Sequence, residues 1–287
     1  MSSNTSDRVK VESVLVATDF TPASKMAMLY AMSIARRHRS KLLITHVVNS
    51  QSESAIMDGW RAGQSEVTDH FVGGRLDGID HELLVKSGAV WPVLAQLISE
   101  RGVNLVVVGT RGRTGVRKFI LGSVAEDIFR QSSCPVLTVG PNLVGQDPDL
   151  APQRILTPTG FARHSLVAVK FALLLAQDLH SSIALLHVVT DPAASGANKE
   201  QARQEREARL QTLIPEDAQL ASPPTFFVEF GSAAEKIVST AMEWNANLIM
   251  LGLRHVEEES RGESTWARAY EIVRQASCPV LTIRLPE

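Results

Sequence analysis

A duplication constrains this chain more than any other feature of its sequence. NLVVVGTR at 104–111 returns as NLIMLGLR at 247–254, QSSCPVLTV at 131–139 returns as QASCPVLTI at 275–283, and LLITHVV at 42–48 is echoed by ALLHVV at 184–189. A repeat has to be found before elements are assigned, because each copy must be a structural unit in its own right. At 287 residues the chain is long enough for two domains of common size, each burying its own core. The copies are expected over 1–142 and 151–287, joined through the polar, proline-bearing GPNLVGQDPDLAP at 140–152.

Within the first copy, VLVATD at 14–19 reads as a buried strand, and Thr21-Pro22 supplies an N-cap and a first-turn proline for the helix after it. Met26, Leu29, Tyr30, Ile34 and Ala35 follow at near-helical spacing. LLITHVV is the second strand, 50–80 a loop with a helix around 60–72, ELLVKSG the third strand, and 90–102 a helix. NLVVVGT is the fourth strand, 124–131 a helix, and PVLTVG the fifth strand. The second copy repeats the order: strand 155–158, a helix through 168–179, SIALLHVV, a helix at 198–214, TFFVEFG, helix 233–243, NLIMLG, helix 266–276 and PVLTIR. The 198–214 helix spreads both charge signs evenly and is read as solvent-facing. Strands alternating with helices predict right-handed crossovers and parallel sheets. Apolar runs such as LVVV predict strands covered on both faces. The class is therefore α/β.

Composition narrows the function classes. A formal net charge of −2 with 21% charged and 44% hydrophobic residues describes an ordinary globular chain and asks for no nucleic acid. Arg36, Arg37 and Arg39 read as a solvated helix end favourable to the dipole. MSSNTSDRVK has no apolar core of a leader, and no 18-residue apolar run exists, so a cytoplasmic protein without membrane attachment is expected. Cys134 and Cys278 have no CxxC or Cys/His neighbour and read as free, buried thiols. His46 and His187 hold matching strand positions, outside any metal-ligand spacing, and a structural role is the stronger reading for both.

The stretch VVVGTRGRTGVRKFILGS at 106–123 carries the chemistry. Its spacing, Gly109-x2-Gly112-x9-Gly122-Ser123, suits an anion cradle, since glycines let a ligand approach backbone amides and the following helix offers unpaired N–H groups. A local reading stands beside it: Ser123 with Glu126 forms a capping box, and Gly122 an ordinary loop glycine. Neither the Walker loop nor the dinucleotide fingerprint is present. In open parallel sheets ligands bind beyond the carboxyl ends of the strands where strand order reverses, which should gather Ala17-Thr18-Asp19, Val47 and Val108-Gly109. Asp19 is suited to accept hydrogen bonds from ribose hydroxyls, or else to cap the first helix.

VLVATDFTPAS, THVV and the glycine spacing together resemble the universal stress protein family, over essentially the whole chain and as a tandem member. The resemblance implies two open parallel five-stranded sheets in the order 3-2-1-4-5, of the adenine nucleotide alpha hydrolase-like type, with ATP or AMP on the first copy. It implies that Ala17, Asp19 and Val47 surround adenine and ribose, that Val108 and Gly109 line the ribose side, and that Gly112, Gly122, Ser123 and Val124 hold the phosphates. Arg111 is a further candidate for phosphate charge, and Mg2+ riding on the phosphates is compatible with the reading. The resemblance also implies that fifth strands pair antiparallel, here PVLTV with PVLTI as an intramolecular pseudo-dimer, with further homodimerisation open.

In the second copy, counting back from Ser165 as the match of Ser24, Asp19 is replaced by Gly160. His255 stands where Gly112 stood, and Glu257, Glu258 and Glu259 put carboxylates where phosphates would lie, so an anionic nucleotide is disfavoured there. The expected function is a non-catalytic, nucleotide-binding stress regulator acting on an unidentified protein partner. A slow ATP hydrolase and a ligand-free interaction scaffold are the alternatives.

Overall fold

The computed structural model describes residues 10–20, 22–48, 52–65, 75–110, 123–143, 146–190, 199–254 and 265–284. It divides into two compact units, Lys10–Pro141 with Asp147–Leu150, and Asn142–Gln146 with Ala151–Glu287. The segment between the copies is shared in this way: Arg37 donates to the Asp149 carbonyl in the first unit, while Asn142 donates to the Arg274 carbonyl in the second.

The first unit runs β1 (Ser13–Ala17), α1 (Pro22–His38), β2 (Lys41–Val48), α2 (Glu53–Ser65), β3 (His81–Ser87), α3 (Val90–Glu100), β4 (Leu105–Gly109), α4 (Ser123–Gln131) and β5 (Val136–Val139). Its strands lie in the order β3-β2-β1-β4-β5, every pair parallel. The second unit runs β6 (Arg154–Pro158), α5 (Arg163–Leu179), β7 (Ser182–Val189), α6 (Lys199–Gln211), β8 (Thr225–Phe230), α7 (Ala233–Glu243), β9 (Leu248–Leu253), α8 (Thr265–Gln275) and β10 (Val280–Arg284). Its order, β8-β7-β6-β9-β10, is the same sheet built again. The expected α/β class and the 3-2-1-4-5 order are thus present in each unit.

The central strands explain why the order holds. Val14, Leu15 and Val16 of β1 and Val106 and Val107 of β4 are fully buried, which requires helices on both faces. The chain moves from β1 toward β3, then jumps back to β4, so right-handed crossovers place α1 and α2 on one face and α3 and α4 on the other. Asn104, just before β4, accepts the backbone N–H groups of Glu12 and Ser13 on its Oδ1 at 2.8 and 2.9 Å and so pins the start of β1. Asn247 does the same for Gln153 and Arg154 at 3.1 and 3.0 Å.

Four features differ from their sequence reading. The helix placed around 60–72 begins at Glu53, because the Ser52 hydroxyl accepts the Ala55 N–H at 3.2 Å and caps an earlier start; residues 66–74 lie outside the described part. α5 begins at Arg163, ahead of its first apolar positions, with the Ser165 hydroxyl donating to the Ala162 carbonyl at 2.9 Å. Cys278 is buried, but Cys134 is only half-buried. The helix read as solvent-facing at 198–214 turns one basic face inward, as described below.

Candidate functional site

The site is set by a latch at the carboxyl end of the central strand. Register puts Ala17 beside Thr45 of β2 and Val108 of β4, and the Thr18 N–H continues the ladder to the Thr45 carbonyl at 2.9 Å. The Thr18 hydroxyl donates to Ser24 Oγ at 3.1 Å and accepts the Phe20 N–H at 3.0 Å. Phe20 has φ 60°, a left-handed conformation unusual for a bulky residue, and its ring sits 4.7 Å from that of His46. His46 in turn donates from Nδ1 to the Thr18 carbonyl at 2.8 Å. Asp19 is the half-exposed residue at the tip of this latch.

The second unit repeats the latch atom for atom. Thr159 bonds Ser165 Oγ at 3.0 Å and accepts the Phe161 N–H at 3.0 Å; Phe161 has φ 61° and stacks 4.6 Å from His187, whose Nδ1 donates to the Thr159 carbonyl at 2.8 Å. The residue at its tip is Gly160. Here the strand ends border a cavity of about 350 Å³. Pro158, Thr159, Gly160, Val188, Leu251 and Gly252 line it, and these are the counterparts of Ala17, Thr18, Asp19, Val47, Val108 and Gly109 in the first unit. The strand-end residues that border this cavity are thus the second-unit counterparts of the six singled out in sequence.

The universal stress protein family model matches residues 10–140 and again 152–284. The chain belongs to the universal stress protein family. Among its relatives is a putative universal stress protein of Staphylococcus aureus (strain USA300), 29% identical over 142 residues, which spans 46% of this chain and 85% of that protein. Among solved structures, a universal stress protein from Archaeoglobus fulgidus DSM 4304 aligns with TM-score 0.69 and 17% identity over 96% of this chain and 99% of that one. A functionally unknown protein from Pseudomonas aeruginosa PAO1 aligns with TM-score 0.63 and 15% identity over 96% and 92%. No described helix is long and apolar enough to cross a membrane.

In this universal stress protein the glycine loop is seen only at its two ends. β4 delivers Val108, buried, and Gly109, half-exposed, while Ser123 opens α4 and Val124 is half-exposed in its first turn. Arg111, Gly112 and Gly122 lie outside the described residues, as do His255, Glu257, Glu258 and Glu259 of the second copy. The paired histidines have the structural role expected of them, since each fastens the carbonyl of its latch threonine.

The electrostatics of the second unit come from α6, which the sequence reading missed. Lys199 and Arg203 lie 4.9 and 5.5 Å from the Phe230 ring, Arg203 donates to the Val228 carbonyl at 2.8 Å, Arg206 lines the cavity, and Arg209 sits 4.0 Å from the Phe161 ring. Leu210 is fully buried on the same side. The signal was in the spacing: Lys199, Arg203, Arg206 and Leu210 follow i, i+4, i+7, i+11, the positions of an inward stripe. Glu200 and Glu205 remain exposed while Arg203 and Arg206 are half-buried, so the four basic and three acidic side chains of the helix do not divide evenly between its faces. Burial, and then the nearby Arg206 and Arg209, hold the half-buried His187 below the usual histidine range and favour its neutral form.

Proposed function

We propose that the first unit binds an adenine nucleotide, ATP or AMP, and that occupancy regulates a protein partner in a stress response without catalysis. The observation that carries this reading is the exchange at the tip of the duplicated latch, Asp19 in the first unit against Gly160 in the second, within otherwise matching hydrogen bonds. A carboxylate held at a strand end accepts ribose hydroxyls, and the glycine loop following Gly109 supplies amides to phosphates. Gly112, Gly122, Ser123 and Val124 hold the phosphates in this reading, Arg111 adds charge, and Mg2+ accompanies the triphosphate. Ala17, Val47 and Val108 enclose the base and sugar.

Isothermal calorimetry with ATP and AMP tests it on the wild type, Asp19→Ala and Gly122→Glu. Binding in the wild type at one nucleotide per chain, lost in Gly122→Glu and weakened in Asp19→Ala, is the expected result. Absence of binding in the wild type refutes the reading, and two nucleotides per chain refutes its assignment to one unit. Phosphate release that disappears in Gly122→Glu would overturn the non-catalytic part.

A further inference from the structure

The cavity of the second unit has the chemistry of a site for a different ligand. Its walls are largely apolar, from Leu186, Val188, Ile237, Leu251 and Ile272, and its charged lining residue on α6 is Arg206. Arg268 and His164 add basic groups, and no Asp or Glu is among the described residues that line it. Arg206 makes no ion pair or hydrogen bond among the described residues, whereas its neighbours Arg203 and Arg209 are committed to the Val228 carbonyl and the Phe161 ring. An arginine kept on an inward stripe, where an apolar residue would ordinarily stand, is kept for an anion.

One feature turns this site away from nucleotides: Gly160 removes the carboxylate that would accept ribose hydroxyls and would also repel an anion. A volume of about 350 Å³ is at the small end of ligand pockets, which run from roughly 300 to 1,000 Å³. We propose that the second unit binds an amphipathic organic monoanion, an apolar chain or ring bearing one carboxylate, with Arg206 facing the carboxylate and the strand ends receiving the apolar body.

The test uses the full chain carrying Gly122→Glu, so that the nucleotide reading of the first unit is silenced independently. Anilinonaphthalene sulfonate, an apolar ring system with one negative charge, is the fluorescent probe, and decanoate, decanol and ATP are competitors. Decanoate is expected to displace the probe, with decanol and ATP at least about tenfold weaker. Arg206→Met and Gly160→Asp, introduced separately, should each weaken decanoate by about tenfold or more without lowering the melting temperature, since a Cβ at Gly160 meets nothing within 4 Å. Failure of decanoate to displace the probe, ATP competing as well as decanoate, or unchanged decanoate binding in both variants overturns the proposal.

Discussion

Gly252→Ala is expected to damage the second unit through packing alone. A Cβ built on Gly252 falls 2.0 Å from the His164 carbonyl oxygen, 2.6 Å from its carbon and 2.9 Å from the Ser165 Cα. All three are backbone atoms of the first turn of α5, so no rotamer change relieves the clash. An ordinary carbon–oxygen contact is about 3.3 Å or more, and the helix start must therefore retreat by roughly 1 Å. That turn is fastened: Ser165 is hydrogen-bonded to Thr159 at 3.0 Å, and Ala168, Val169 and Ala172 behind it are buried. The cost belongs at the upper end of overpacking, about 3 kcal/mol, which lowers the melting temperature of a domain this size by roughly 10 °C. Gly160→Ala is the control, because its Cβ has open space and should shift stability by no more than about 0.5 kcal/mol. Far-ultraviolet circular dichroism melts of the full chain read both. A Gly252→Ala midpoint within about 2 °C of Gly160→Ala would refute the packing argument.

Three further outcomes follow from the same geometry. Asn247→Ala leaves the N–H groups of Gln153 and Arg154 without their shared acceptor and should cost about 1–2 kcal/mol by urea denaturation, whereas a neutral result would deny that this side chain pins β6. Because His187 is held below its usual range, the unfolded chain takes up a proton that the folded one resists, so stability falls as pH drops through about 6.5 and levels off below the folded value. His187→Gln should flatten that dependence between about pH 8 and pH 5, and an unchanged slope would assign it elsewhere. Burial pushes the Cys278 thiol up to about 12 and raises Cys134 as well, so mass spectrometry after iodoacetamide at about pH 8 should find Cys278 unlabelled in the native chain and labelled in urea, with the half-buried Cys134 reacting slowly. Rapid native labelling of Cys278 would contradict its burial.

Much of the fold was legible because its strands are buried on both faces: Val14, Leu15 and Val16 of β1, beside Val106 and Val107 of β4, leave little choice of element. The duplication then doubled every assignment, and the Asp19-to-Gly160 exchange was readable by counting from Ser24 and Ser165. What stayed hidden depended on contacts rather than on residue type. The left-handed conformation of Phe20 and Phe161 follows from a threonine hydroxyl two residues earlier and a histidine on another strand. The early start of α2 follows from one serine cap. The inward face of α6 is invisible in its overall charge and emerges only from helical position: Arg206 and Leu210 face the same way as Lys199, and Glu200 does not.

The staple formed by Asn104 has a consequence for synthesis on the ribosome. It joins the Asn104 side chain to a backbone N–H 91 residues earlier, and β1, the strand it pins, lies between β2 and β4. As the chain emerges, β1 pairs with β2 early, but its other edge stays bare until β4 follows β2 by about 57 residues, on the order of 3–12 s of translation. During that interval a strand whose Val14, Leu15 and Val16 are fully buried in the finished fold presents open hydrogen-bonding groups to any neighbouring nascent chain. Asn104 leaves the ribosome one residue ahead of β4, so the group that recognises the start of β1 arrives just before the strand that closes the edge. Asn247 repeats the same sequence of events for β6 and β9, and each copy of the repeat passes through its own window of exposure.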